Sequence, residues 1–140
     1  MKVNELMIGD WVRIKSNIDP NDAYWLHDMQ PGQALKVTEM LSNGINPDWY
    51  GGEINDCVPE DAIEPIPLTA EILGKNKFSK SRLMGEQRHF TYYLASSVSL
   101  LAIYDAEFSL CIGDCARYIK YVHQLQHCLK LVGIEKEITL

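Results

Sequence analysis

Residues 89–112 read HFTYYLASSVSLLAIYDAEFSLCI, and residues 113–133 continue GDCARYIKYVHQLQHCLKLVG. The first stretch holds three runs rich in aromatic and β-branched residues, 89–95, 98–104 and 107–112. Connections as short as Ser96-Ser97 and Asp105-Ala106 join neighbouring antiparallel strands, so an antiparallel meander is predicted. Phe90, Tyr92 and Leu94 share one face of its first strand, and Val98, Leu100, Ala102 and Tyr104 share one face of its second. The second stretch changes period. Ile119, Val122, Leu125, Leu129 and Val132 recur every three or four residues and make an apolar stripe. Gly113-Asp114 opens this segment and Gly133 closes it, which predicts one helix of about nineteen residues, roughly 28 Å long. Residues 134–140 are expected to add a closing strand.

Upstream of the meander, Thr69 is placed to cap a short helix over 70–75, with Glu71 in the first turn where it complements the helix dipole. Residues 76–88 read as a polar, basic loop. Residues 1–68 have another character. Short strands are predicted at 6–15, 34–41, 53–54 and 63–66, with Val12 and Ile14 facing one way and Trp11, Arg13 and Lys15 the other. Long polar loops at 16–33 and 42–51 separate them, and Val58-Pro59-Glu60-Asp61 reads as one helical turn. Short strands joined by long loops within this length predict a small SH3-like barrel. The expected fold is α+β: an SH3-like half (1–68), then a short helix, the meander and a long amphipathic helix (69–140), in one compact body.

The composition agrees with a globular chain. Of 140 residues, 46% are hydrophobic and 23% charged, outside the disordered and collagen-like ranges. No apolar run approaches the roughly 20 residues of a membrane span, and charges fall too early in MKVNELMIGD for a secretory signal. The net charge of −6 opposes general binding to a phosphate backbone. That charge is uneven: residues 1–68 sum to −8 and residues 69–140 to +2, which hints at a boundary near residues 65–69. The four cysteines, Cys57, Cys111, Cys115 and Cys128, are expected to be reduced, cytoplasmic and buried.

Three stretches carry a resemblance: Ile8-Gly9-Asp10-Trp11-Val12, residues 64–73 (EPIPLTAEIL) and residues 120–126 (KYVHQLQ). In this order they resemble a family of small uncharacterised proteins encoded in Bacteroidetes genomes, prophages and conjugative elements. Its pattern runs from I-G-N/D-x-V through P-I-P-L-T-x-E to Y-V-H-x-L-Q. The resemblance implies a mobile-element provenance and no particular chemistry. The chain departs from the pattern twice: Lys77 precedes Phe78 where the pattern tends to have Gly, and His127 stands where it tends to have Asn.

No set of residues spells out a reaction. His123 and His127 have the i,i+4 spacing of a metalloprotease helix, but Gln124 cannot act as its general base and no third ligand follows. Cys111-x3-Cys115 with this His pair mimics a zinc finger. On one straight helix, however, Cys115 lies roughly 12 Å before His123, far beyond a shared ion. The acidic run Glu53, Asp56, Glu60, Asp61 and Glu64 lacks calcium-loop spacing. No nucleophile elbow and no phosphate-binding Gly loop is present. A non-catalytic protein with no cofactor and no metal is therefore expected. Its candidate binding residues are Trp11, Arg13 and Lys15 on a strand face, and Trp49 and Tyr50 in a loop, for a protein partner or a second copy. The alternative is nucleic-acid binding through Lys75, Lys77, Lys80, Arg82 and Arg88, interleaved with His89, Phe90 and Tyr92. No membrane partner is expected.

Overall fold

The fold is given by a computed structural model that describes every residue except 20, 22–25, 27–28, 48–56, 83–89, 96–97, 105–106 and 113. For residues 82, 90, 95, 103 and 104 only the backbone is described. The class is α+β, with two five-stranded antiparallel sheets and two α-helices among the described residues. The chain divides into two compact units, Met1–Ile66 and Pro67–Leu140. No helix is long and apolar enough to cross a membrane among the described residues.

In the first unit the strands are β1 (Trp11–Ile14), β2 (Ala34–Met40), β3 (Gly44–Pro47), β4 (Val58–Pro59) and β5 (Ile63–Pro65), in spatial order β4-β3-β2-β1-β5. The expected closed barrel is not found: among the described residues this sheet is open, with β4 and β5 as its edges. Alternation works as anticipated on β1 and extends to β2. Val12 and Ile14 on β1 and Leu35 and Val37 on β2 are fully buried, while Trp11 and Arg13 are half-buried. Each such aliphatic side chain contributes roughly 1.5–3 kcal/mol by leaving water.

Two expectations for this unit need correction. The loop expected at 42–51 contains β3, and the helical turn expected at 58–61 begins with β4 and then reverses through Ala62 N–H donating to Pro59 C=O (3.0 Å). The cause lies in the packing of β3 on β4. A Cβ on Gly44 would come within 2.4 Å of the Val58 carbonyl oxygen and 2.7 Å of Cys57 Sγ. Local turn signals hide a strand that forms only because this glycine lets two backbones meet.

Ile8-Gly9-Asp10 also acquires a physical reading. Asp10 N–H donates to Met7 C=O (3.1 Å), Gly9 has φ +93°, and the buried Asp10 carboxylate accepts from Met7 N–H (2.7 Å). Gly9 N–H and Asp10 C=O then pair with Val37 across the sheet (2.7 and 2.9 Å).

In the second unit Thr69 caps α1 (Ala70–Lys75), its Oγ1 accepting from Ile72 N–H (3.2 Å). The meander follows as β6 (Ser79–Arg82), β7 (Phe90–Ala95), β8 (Val98–Tyr104), β9 (Glu107–Ile112) and β10 (Cys115–Ile119), in consecutive order with β6 and β10 at the edges. Tyr92, Val98, Leu100, Phe108 and Leu110 are buried, and the Tyr92 and Phe108 rings meet edge to face at 6.2 Å.

Three more expectations are overturned here. The basic loop begins with a strand, because Ser79–Arg82 pairs with β7. The nineteen-residue helix is a strand followed by a shorter helix: β10 pairs with β9 from Cys115↔Ile112 to Ile119↔Phe108, and α2 covers only Val122–Leu131. Ile119 is buried as the last residue of a strand, in phase with the stripe of the helix after it, so one periodicity ran across two elements. Residues 134–140 form no strand, although Ile138 is fully buried.

Both helices end alike. Lys77 N–H donates to Gly74 C=O and Phe78 N–H to Leu73 C=O (3.0 and 3.1 Å). Gly133 N–H donates to Lys130 C=O and Ile134 N–H to Leu129 C=O (3.1 and 2.9 Å). These are paired Schellman closures, and each places one residue in the left-handed region, Lys77 at φ +58° and Gly133 at φ +73°.

Candidate functional site

The strand face proposed from alternation holds Trp11, Arg13 and Lys15, all half-buried. Arg13 stands opposite Glu64 of β5, and its Nε and Nη2 both donate to Glu64 Oε1 (2.9 and 2.8 Å). The guanidinium is thereby turned onto its own sheet. Trp49 and Tyr50 lie outside the described residues.

Of the basic set, Arg88 lies outside the described residues and Arg82 is described only in its backbone. Lys75 pairs with Glu71 one turn earlier (3.2 Å), and the Lys80 ammonium lies 5.7 Å from the centre of the Tyr92 ring. Lys77 is the left-handed residue that ends α1. Two of these cations are thus engaged within the unit.

His123 and His127 share a face of α2 as their spacing requires, with ring centres 5.7 Å apart. His123 is only 5% exposed, and its ring stacks on Tyr121 at 5.8 Å and 11°. Among the described residues no group of three or more His, Cys, Asp or Glu side chains is placed to hold a metal. The four cysteines are free thiols, but none is fully buried and Cys115 is exposed, contrary to expectation. Cys111 pairs opposite Ala116, and Cys115 opposite Ile112. Adjacent register positions point to opposite faces of a sheet, so Cys111 and Cys115 cannot bridge. Burial pushes the Cys128 thiol up, with Arg117 nearby acting in the other direction.

The surface that sequence reasoning missed lies where β10 meets α2. A groove of about 610 Å³ is lined by Glu107 and Phe108 of β9, Tyr118 and Ile119 of β10, and Tyr121 and Gln124 at the start of α2. Tyr118 is 72% exposed. Lys120, also on the groove, holds its ammonium 5.5 Å from the centre of the Tyr121 ring. The floor is tied together locally. Gln124 Oε1 reaches back to accept from the backbone N–H of Lys120 and Tyr121 (2.9 and 3.3 Å), satisfying donors that a helix start leaves open.

The same place unites the second and third motif stretches, residues 64–73 and 120–126. Pro67 bridges antiparallel to Tyr121, and Leu68 N–H donates to Lys120 C=O (2.9 Å). Next to this bridge, Cys115, Ala116, Arg117 and Tyr118 are exposed in succession along an edge strand. In the sequence Tyr118 and Tyr121 fall within the segment expected to be one long helix, so nothing marks them as lining a groove. Chemically, the surface offers aromatic area, one cation, one carboxylate and a strand edge, which suits binding an extended polypeptide.

No protein-family model matches the chain, and no curated protein or solved structure matches it.

Proposed function

We propose that this protein is a non-catalytic interaction module of a prophage or other mobile element, which adds an extended segment of a protein partner to the edge of β10. The observation that carries this reading is the run of four exposed residues, Cys115 to Tyr118, on an edge strand beside the tyrosine-lined groove. Neither face of those four residues is covered, whereas most soluble sheets blunt their edges. Main-chain pairing supplies affinity in such a mode, and Tyr118 and Tyr121 supply aromatic anchors.

The provenance rests on the motif resemblance. In its favour, each motif has a folding role: Asp10 closes a turn, Pro67 and Tyr121 bridge, and Gln124 caps α2. Where the pattern carries Gly before Phe, Lys77 has φ +58°, a conformation that favours glycine.

The first unit is read as SH3-like and the whole protein as cytoplasmic. Supporting the SH3-like reading, β2 pairs with β1 through residues 34–36 and with β3 through residues 37–40, with a register shift between Val37 and Glu39. A bent strand shared in this way, with β5 returning beside β1, suits a small barrel-type meander.

The test is affinity capture from a Bacteroidetes lysate with the wild-type chain and with Tyr118→Ala. Tyr118 is so exposed that its truncation leaves stability within about 0.5 kcal/mol. Loss of a contact hot spot costs about 2 kcal/mol, roughly 30-fold in affinity. A partner retained by the wild type and lost by Tyr118→Ala is the expected outcome. Capture of no partner, or equal capture by both chains, would falsify the proposal.

A further inference from the structure

The segment 134–140 (IEKEITL) has no sheet to belong to, yet it is held firmly. Its burial alternates. Ile134, Lys136 and Leu140 are half-buried and Ile138 is fully buried, while Glu135, Glu137 and Thr139 face outward. This period of two is that of an extended peptide laid on a surface. A tight turn at its start, with Lys136 N–H donating to Ile134 C=O (3.0 Å), aims it.

One side chain grips its backbone. Asn76, 5% exposed at the end of α1, accepts from Thr139 N–H through Oδ1 (2.8 Å) and donates to Thr139 C=O through Nδ2 (2.6 Å). The second Nδ2 hydrogen goes to Ile72 C=O (2.8 Å), which sets the plane of the amide. A carboxamide used in this way imitates the edge of a strand, offering one donor and one acceptor to a single residue of a peptide. It reads backbone, and the buried site of Ile138 beside it reads one aliphatic side chain. That combination of main-chain pairing and a pocket for an alternate side chain defines a peptide receptor.

From this we infer that the second unit is a receptor for its own 134–140 segment, and that the segment of a second copy occupies the site in trans. The occupant is identified because the chain itself shows it seated. The segment follows α2 directly after the Schellman closure at Gly133, so a change of backbone direction there redirects it at the cost of the Ile134 N–H bond to Leu129 C=O and of the Asn76 clasp on Thr139. Reciprocal exchange between two copies re-forms every clasp bond that it breaks. It also closes under two-fold symmetry, so it ends at a dimer. A tethered tail competes at an effective concentration of roughly millimolar. Exchange is therefore expected at high protein concentration, or when the tail in cis is spoiled.

This inference is independent of the β10 edge and is tested with two full-length variants. Ile138→Asp keeps the receptor and spoils the tail, whereas Asn76→Ala keeps the tail and spoils the receptor. The ¹⁵N-labelled Ile138→Asp chain is expected to show the Asn76 carboxamide resonances shifted from their wild-type position. Adding unlabelled Asn76→Ala chain at millimolar concentration returns them toward that position, and sedimentation then shows a species of twice the mass. Adding unlabelled Ile138→Asp chain produces neither change. Should Ile138→Asp lose its dispersed amide spectrum, Ile138→Ala takes its place, with the same outcomes expected. Asn76 resonances that do not respond to a chain with an intact tail, or that respond equally to both variants, overturn the inference.

Discussion

α1 and α2 stop in the same way with different residues, and the contrast separates what a motif needs from what a residue contributes. Each helix ends on the paired bonds of a Schellman closure, one around Lys77 and the other around Gly133. A left-handed backbone costs an L-residue roughly 1–2 kcal/mol and glycine almost nothing. α2 thus stops where its own sequence tells it to. α1 stops on a residue that resists the required conformation, so something else holds it there. Phe78, the residue after Lys77, is buried, and Asn76 grips Thr139 from the same turn. Tertiary contacts supply at one end what glycine supplies at the other.

The largest break in this comparison is expected at Asn76. Asn76→Ala leaves Thr139 N–H and C=O without their partner and removes the side-chain bond to Ile72 C=O, which keeps its backbone bond from residue 76. A loss of about 3 kcal/mol is expected, measured as a drop in the urea midpoint at constant m-value. A loss below about 1 kcal/mol would mean that the clasp does not hold α1 closed. Next comes Gly133→Ala, which forces a Cβ into the left-handed region and costs about 1–2 kcal/mol. Lys77→Gly sharpens the contrast from the other side. Calorimetry should find the protein more stable by about 0.5–1 kcal/mol, since the strain removed exceeds the entropy that glycine adds to the unfolded chain. A destabilised Lys77→Gly protein would count against strain at this closure.

The smallest effect belongs to the charged tie of the first unit, the counterpart of the neutral clasp in the second. Lys2 Nζ donates to Glu60 Oε1 (2.6 Å), and Val3 N–H to Glu60 Oε2 (3.2 Å). The Lys2 hydrogen bond, followed by that of Val3, holds the Glu60 carboxyl below its ordinary 4.5, and Glu60 raises Lys2 above its ordinary 10.5. Glu60's share of stability is thus present above about pH 4.5 and is lost as pH falls through its lower folded value. The Lys2 share is present below pH 10.5 and is lost as pH rises through its higher folded value. Lys2→Ala should flatten the alkaline limb and weaken the acid limb of a thermal-melting profile. The Asn76 clasp, being uncharged, adds no slope to either limb.

Much of the second unit was legible locally. Thr69 announced α1 by its side chain, the meander followed from short connections between β-rich runs, and Gly133 marked the end of α2. The groove was not legible. Tyr118 and Tyr121 fell inside what reads as one long helix, because Ile119, three residues before Val122, fits the helical stripe as well as it fits the end of a strand. Only pairing with β9 chooses between the two. The start of α2 at Tyr121 lacked a Ser, Thr, Asp or Asn cap, and the device that replaces one, Gln124 reaching back, is visible only once the turn exists.

The sequence by itself determined the α+β class, the inward faces of β1, β2 and β8, the start of α1 and the end of α2. Those features depend on alternation, capping chemistry and turn residues, which act over a few positions. Tertiary structure alone decided that residues 115–119 are a strand, that β3 and β4 meet at Gly44, that Pro67 bridges Tyr121, and that Asn76 holds Thr139. In each case a backbone group finds its partner in another segment of the chain, from the neighbouring strand β9 to residues more than 60 positions away. The free energy of a buried hydrogen bond depends on whether that partner arrives, a condition that no local pattern encodes.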